Sequence, residues 1–155
     1  MNKTFASLFL AALCLPALAQ MTPAGLWRSI DDNTGEAKAE ISIKDNGKGG
    51  LNGVVERSLL KTSSEPNCSL CTDDRKDKPK VGMEIIRGAV KAASEDIWEG
   101  GTIIDPENGK VYKLRLTPIE GGKKLQVRGY IGPFYRNQVW QRVQEKESSS
   151  CHVFQ

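Results

Sequence analysis

Hydrophobic and polar residues alternate with a period of two in short runs along most of the chain, and turn-forming residues separate these runs. Such alternation places every second side chain on the same face of a β-strand, while clusters of Gly, Asn, Asp and Pro mark the connections. Helix signals are nearly absent. The predicted strands are residues 26–30, 38–45, 50–60, 83–92, 96–105, 110–119, 124–132 and 136–143.

About eight strands with mostly short connections predict an all-β, antiparallel up-and-down barrel. Closure of the barrel removes the sheet edges that an exposed β-protein must otherwise protect. A β-sandwich is the alternative, because alternation alone does not distinguish the two architectures. The predicted apolar faces contain Ala39, Ile41 and Ile43, then Tyr112, Leu114 and Leu116, and finally Leu125, Val127 and Ile131.

Residues 1–19 have the layout of a secretory signal peptide. Lys3 supplies a positive charge, residues 5–15 form an uncharged apolar stretch, and Ala17-Leu18-Ala19 provides the small-x-small pattern that precedes cleavage. The apolar stretch is too short to span a bilayer as a helix, so no membrane-spanning anchor is expected. We expect cleavage after Ala19 and a periplasmic or secreted protein in an oxidising compartment.

The rest of the chain is expected to form one domain over residues 20–143, followed by a flexible polar tail at 144–155. The sequence is 39% hydrophobic and 26% charged, with a net charge of +3, which is ordinary for a globular protein. Basic and acidic residues are interspersed, and no basic stripe with interleaved aromatic residues occurs. A nucleic-acid partner is therefore not expected.

Cys68 and Cys71 form a C-x-x-C pair inside the long polar connection at residues 61–82. A thioredoxin-type site requires a helix that begins at the first cysteine and lowers its thiol pKa, whereas turn-forming residues follow this pair. A structural zinc site requires four ligands, and the remaining candidates, Cys151 and His152, lie in the tail. We interpret Cys68 and Cys71 as a structural disulfide and expect no metal or cofactor.

Six motifs follow one another in the chain: GLW at 25–27, CSLC at 68–71, WEGGTI at 98–103, DPENGKVY at 105–112, LQVRGYIG at 125–132 and VWQRV at 139–143. Their order resembles the uncharacterised bacterial protein family DUF2147 from Gly25 to about Val143. The resemblance implies a small exported protein with a lipocalin-like β-barrel. It implies no catalytic residues.

The residues themselves also support similarity to lipocalins. Gly25-Leu26-Trp27 matches the G-x-W that opens the first strand in lipocalins, where the indole closes one end of the barrel. An arginine from the last strand typically packs across that indole in a cation–π contact, and Arg142 is the matching residue. We therefore expect structural roles for Trp27 and Arg142.

Residues typical of catalysis are sparse. The chain contains a single histidine, His152 in the tail, so the commonest general base is missing from the predicted barrel. Gly100-Gly101 lies inside a predicted strand, where a bulge or a close backbone approach is expected rather than a phosphate site. Glu99 and Asp105 are interpreted as solvated charges. We do not expect an enzyme.

Arg128 and Tyr130 share one face of the seventh predicted strand, opposite Val127. If this polar face points inward, its arginine could hold an anionic head group while Trp98 and Tyr130 line an apolar body. If it points outward, these side chains coat the exterior, and a register shift of one residue exchanges the two arrangements. Both remain open, and the candidate ligand-binding residues are Trp98, Glu99, Arg115, Arg128 and Tyr130.

The leading hypothesis is an exported, non-enzymatic protein that binds a small, partly apolar ligand in the barrel. A second hypothesis is an interaction module of the cell envelope, in which the charged residues of the 61–82 connection contact a protein partner. A third is a redox protein, which requires Cys68 and Cys71 to cycle between thiols and disulfide.

Overall fold

The computed structural model describes residues 21–61 and 65–144. Within them, eight antiparallel strands form one closed barrel in which each strand pairs with the next and β1 pairs with β8. The up-and-down barrel is therefore confirmed, and the sandwich alternative is wrong. The strands are β1 (Gly25–Ile30), β2 (Ala37–Asp45), β3 (Leu51–Ser58), β4 (Glu84–Lys91), β5 (Trp98–Asp105), β6 (Lys110–Ile119), β7 (Lys124–Ile131) and β8 (Phe134–Arg142).

Each predicted strand corresponds to an observed one, and the predicted bounds agree with the observed bounds to within two residues. β8 begins at Phe134, two residues earlier than predicted, because a two-residue turn at Gly132-Pro133 directly joins it to β7. Gly132 has φ 55°, a conformation that favours glycine. The predicted signal peptide at residues 1–19 and residues 145–155 of the predicted tail lie outside the described residues.

The inward faces of the strands form the hydrophobic core. Ile131 is an exception to the predicted faces, since it is 46% exposed at the end of β7, beside Phe134, which is 76% exposed. The last hairpin therefore presents apolar side chains to solvent at its turn. The buried core residues include Trp27, Ile41, Ile43, Leu51, Val55, Ile86, Leu114, Leu116, Leu125, Val127 and Trp140.

A β-bulge interrupts the pairing of β5 with β6. The register shifts between Glu99 and Thr102, and Gly100 adopts φ 80°. A Cβ atom on Gly101 would collide with the backbone of Arg87 in β4. The prediction of a bulge and a close backbone approach at this pair of glycines is confirmed.

One end of the barrel is closed by Trp27 and Arg142. The indole N–H of Trp27 donates to the carbonyl oxygen of Pro23 at 2.6 Å, and the Arg142 guanidinium lies 4.1 Å from the centre of the indole. Gly25 has φ 133°, and a Cβ atom there would lie 2.5 Å from Nη1 of Arg142. The G-x-W glycine thus leaves room for the arginine, and the predicted structural contact is confirmed.

The connection between β3 and β4 carries the Cys68–Cys71 disulfide. Both cysteines are fully buried, and Sγ of Cys68 lies 3.5 Å from the carbonyl oxygen of Pro106 in the β5–β6 turn. A Cβ atom on Gly109 in that turn would collide with the backbone at Leu70. The predicted disulfide is confirmed. It is buried between the connection and the barrel.

Charges in this connection are bound to each other and to the barrel. Arg75 is 4% exposed, pairs with Asp73, and donates to the carbonyl oxygen of Glu84 at 3.0 Å. Asp74 accepts two hydrogen bonds from Arg87 of β4, each of 2.8 Å. The Arg87 guanidinium lowers the pKa of Asp74 from 3.8 to about 2. The connection is thereby held on the barrel instead of extending from it.

Candidate functional site at the open end of the barrel

A cavity of about 180 Å³ lies at the barrel end opposite the Trp27–Arg142 closure. Its walls are formed by the inward side chains of several strands, so their orientation follows from the alternation of each strand. Most of these side chains are apolar. The apolar wall residues include Ile41, Val55, Ile85, Ile103, Val127 and Trp140.

A few polar groups project among these apolar walls. The indole N–H of Trp140 donates to Oε1 of Gln138 at 3.2 Å, and the Tyr112 hydroxyl accepts a hydrogen bond from Nδ2 of Asn108 at 3.2 Å. The amide donors of Gln138 and the Tyr112 hydroxyl proton are therefore available for a ligand. Gly129 lies beneath the Tyr112 ring, where a larger residue would crowd it.

Charged side chains surround the rim of the cavity. Lys80 pairs with Glu107 at 3.0 Å, and Arg136 pairs with Asp32 at 2.8 Å. The hydrogen bond to Asp32 raises the pKa of Arg136. Lys38 also lines the cavity, and no carboxylate of the described residues lies within 4.0 Å of its ammonium group. The pKa of Asp31 is lowered by backbone hydrogen bonds from Thr34 and Asn33 and, to a smaller extent, by the charge of Lys38, so this cation acts on a carboxylate without forming a short ion pair in the described part of the chain.

The seam between β1 and β8 adjoins this cavity. Among the described residues, the two strands pair only through Trp27–Arg142 and Arg28–Gln141, which lie near the closed end. Nearer the open end of the barrel, the cavity is bordered by residues 29–30 of β1 and by Arg136 and Gln138 of β8. The Arg136–Asp32 ion pair bridges the seam at the rim, so the barrel is closed there by side chains.

The five predicted ligand-binding residues do not line this cavity. Trp98 is 8% exposed and lies opposite Leu116 at the other end of the barrel. The remaining four are on the outer surface, where Arg115 pairs with Glu99 at 2.8 Å. The Arg115 guanidinium lies 5.9 Å from the centre of the Tyr130 ring, and that of Arg128 lies 4.6 Å from Tyr135.

This placement shows that the first of the two alternatives for β7, in which its polar face points into the barrel, is wrong. Val127 points into the barrel, so Arg128 and Tyr130 point outward, as the exterior alternative requires. Sequence reasoning missed Tyr112, Gln138 and Trp140 as lining residues. The alternation of β6 and β8 carries the signal, since Tyr112 precedes Leu114 and Leu116 on the same face.

Residues 21–61 and 65–144 contain no group of three or more His, Cys, Asp or Glu side chains arranged to hold a metal ion. No helix in these ranges is long and apolar enough to cross a membrane. The cavity at the open end of the barrel is the candidate functional site.

A closed eight-stranded up-and-down barrel, with an arginine over a tryptophan at one end and a cavity at the other, is a lipocalin-like fold. A solved structure described as "Protein HP1028 from the human pathogen Helicobacter pylori belongs to the lipocalin family" has the same architecture. The two superimpose with a TM-score of 0.68 over 83% of this chain and 87% of that chain, at 13% sequence identity. Identity at this level shows a shared fold alone.

The chain belongs to the family described as "Uncharacterized protein conserved in bacteria (DUF2147)". The family model matches residues 25–142, which span the barrel from the first residue of β1 to the last of β8. The resemblance based on the six motifs is therefore confirmed. No curated protein matches the chain.

Proposed function

We propose that this protein binds a small, partly apolar molecule in the cavity at the open end of the barrel, without transforming it chemically. The observation that supports this proposal is the cavity itself, whose walls are largely apolar and carry a few polar groups. Ligand sites of proteins have this composition, because burial of apolar surface supplies affinity and sparse polar groups fix orientation.

The size of the cavity limits the ligand. Drug-sized molecules occupy pockets of about 300–1,000 Å³, while an apolar cavity of about 150 Å³ accommodates benzene. At about 180 Å³, the cavity fits a single ring or a short alkyl chain. A polar end of such a ligand would lie near the Tyr112 hydroxyl, the Gln138 amide and the rim charge of Lys38.

We propose binding without catalysis because few side chains of the cavity are of types that commonly act in catalysis. The wall residues of the described barrel include no histidine or cysteine. Of the two carboxylates that line the cavity, Glu107 is paired with Lys80, and Asp105 accepts hydrogen bonds from Glu107 and Asn108. The layout of residues 1–19 and the buried Cys68–Cys71 disulfide support a periplasmic or secreted location, where disulfides persist.

The proposed function is tested by filling the cavity. Val54 and Val55 are neighbours on β3; Val55 is buried and lines the cavity, while Val54 lines a separate groove formed by β2, β3 and β4. Val55→Phe should abolish binding of single-ring and short-chain carboxylic acids and alcohols, measured by Trp140 fluorescence and calorimetry. Val54→Phe adds the same volume at the other face and should leave binding unchanged.

Equal binding by wild type and Val55→Phe would contradict the proposal, because the ligand would then lie elsewhere. Circular dichroism shows whether each variant retains the barrel. A Trp140→Phe variant, which preserves an aromatic wall, should still bind in calorimetry while losing the fluorescence change.

A further inference from the structure

The outer surface of β6, β7 and β8 carries cations and tyrosines in adjoining rows. Lys113 of β6 lies opposite Tyr130 of β7, which in turn lies opposite Tyr135 of β8. In the next row, Arg115 of β6 lies opposite Arg128 of β7. Alternation along each strand directs all five side chains away from the core. These five residues are called the arginine–tyrosine face below.

Two guanidinium groups of this face belong to directly paired residues, a position in which like charges are destabilising. Glu99 of β5 compensates one of them, since it pairs with Arg115 at 2.8 Å. The hydrogen bond of Glu99 and, to a smaller extent, the charge of Glu95 raise the pKa of Arg115. Arg128 has no salt bridge with a carboxylate of the described residues, and its Nε donates to Oδ1 of Asn137 at 2.6 Å. The terminal nitrogens of Arg128 are therefore available to an anion.

Another row of charged residues on the barrel shows a compensated arrangement. Glu40 of β2 lies between Arg28 of β1 and Arg57 of β3, and accepts a hydrogen bond from each, at 2.8 Å and 2.6 Å. One carboxylate thus lies between two arginines. On the arginine–tyrosine face the two arginines are adjacent, with a carboxylate on one side only. This face is therefore complementary to an acidic group of another molecule.

Tyrosine rings lie against the two guanidinium groups. Arg128 lies 4.6 Å from the centre of the Tyr135 ring, and Arg115 lies 5.9 Å from the centre of the Tyr130 ring. The two ring centres are 6.1 Å apart, and Tyr135 is 59% exposed. Such contacts orient the arginines in advance, so that less conformational freedom is lost on binding. Tyrosine and arginine are also enriched among the residues that dominate binding at protein interfaces.

We propose that the arginine–tyrosine face docks an acidic segment of a protein partner. The terminal nitrogens of Arg128 donate to a carboxylate of that segment, in the planar geometry that suits arginine and carboxylate. Lys113 is a diagonal neighbour of Arg128 across the two strands and lies within reach of a second carboxylate. Tyr130 and Tyr135 supply aromatic surface for apolar side chains of the partner. The docking takes place outside the barrel and does not depend on ligand binding in the cavity.

A protein is favoured over other acidic partners because the available cations are few. Attraction to anionic lipids takes clusters of about four to eight Lys or Arg residues. A polyanion such as a nucleic acid likewise gains affinity from contacts with many cations. In the described part of the chain, the face offers two cations without a salt bridge, Lys113 and Arg128, next to two tyrosines. Few charges beside aromatic surface are typical of a protein interface.

Selection of short random peptides for binding to the full chain tests the proposal. Peptides that bind the wild type should be enriched in Asp and Glu, and added salt should weaken their binding. Arg128→Gln should raise the dissociation constant of these peptides by about tenfold or more, because it removes charge-assisted hydrogen bonds. Lys113→Gln should raise it by a smaller factor. Val55→Phe, which fills the cavity, should leave it unchanged.

The matched control for Lys113→Gln combined with Arg128→Gln is Lys48→Gln combined with Arg57→Gln. Each double variant loses two positive charges from the outer surface, but Arg57 is already paired with Glu40 and Lys48 lies in the β2–β3 turn. The control should bind the selected peptides as the wild type does. Circular dichroism identifies any variant that fails to fold. Lys113 is exposed, so Lys113→Gln alone keeps the test valid if Arg128→Gln does not fold.

Heparin and phosphatidylglycerol vesicles are the probes for other classes of acidic partner. Neither should show binding that depends on Lys113 and Arg128. Selected peptides without an excess of Asp and Glu would overturn the proposal, as would equal binding of acidic peptides by the wild type and K113Q/R128Q. Binding of heparin or vesicles that is lost in K113Q/R128Q, without binding of acidic peptides, would overturn the choice of a protein partner.

Discussion

The guanidinium of Arg142 lies 4.1 Å from the centre of the Trp27 indole and donates hydrogen bonds to carbonyl oxygens of the chain around it. These oxygens belong to Gly122 at 2.5 Å, to Ala24 at 2.9 Å and to Thr22 at 2.6 Å. The arginine thus joins the segment before β1, the turn between β6 and β7, and the last strand. Burial lowers the pKa of its guanidinium.

We predict that Arg142→Met lowers the free energy of unfolding by about 3 kcal/mol, because carbonyl oxygens in a partly buried site lose their donor. Arg142→Lys should recover only part of this loss, since an ammonium group does not reproduce the planar array of donors. Denaturant unfolding measures both variants. A loss below about 0.5 kcal/mol for Arg142→Met would contradict a structural role for the contact.

We predict a different outcome for removal of the Cys68–Cys71 disulfide. The closed loop is short, so the chain-entropy contribution is at most about 2 kcal/mol, and the barrel should still fold. Hydrogen exchange should increase in the connection at residues 65–83, which the disulfide holds against the β5–β6 turn. Cys68→Ala combined with Cys71→Ala is the variant, and Cys151→Ser is the control that leaves this pair intact.

The attachment of the same connection should depend on pH through Asp74. Arg87 lowers the pKa of this carboxylate to about 2 in the folded protein from 3.8, so its contribution to attachment is complete above about pH 4. The contribution is lost as the pH falls towards 2. Hydrogen exchange or limited pepsin digestion should therefore show residues 65–83 loosening below about pH 4.

Asp74→Asn should loosen the connection already at neutral pH and weaken the dependence on acid. Asp77→Asn is the matched control, because Asp77 lies nearby and its salt bridge is to Lys76 within the same connection. If the two variants behaved alike, the Asp74–Arg87 pair would not be the contact that attaches this segment.

The barrel and its closed end could be predicted from the sequence. Alternation gave all eight strands because each has an apolar inner face, and the G-x-W motif together with Arg142 identified the closure. The disulfide followed from the lack of a helix or a set of four ligands at Cys68 and Cys71. The strands follow from the local alternation of residues. The closed end and the disulfide follow from contacts and bonds that few residue types can make.

The residues that line the cavity could not be predicted in the same way. Tryptophan is a residue type that is common in ligand pockets, but the position of Trp98 along β5 places it at the closed end of the barrel. The placement of Arg128 and Tyr130 inside or outside the barrel depends on which face of β7 points inward, and a register shift of one residue reverses that placement. The burial of Cys68 depends on a contact with Pro106, which is distant in the chain.

Ligand binding is the central claim, and native mass spectrometry of the full chain tests it most directly. The same preparation is measured under native and denaturing conditions, beside Val55→Phe and Val54→Phe. Wild type and Val54→Phe should carry or take up one small organic molecule that denaturation releases, while Val55→Phe should not. No adduct on wild type, either as purified or after incubation with the single-ring and short-chain compounds, would contradict the claim, as would equal loading of Val55→Phe.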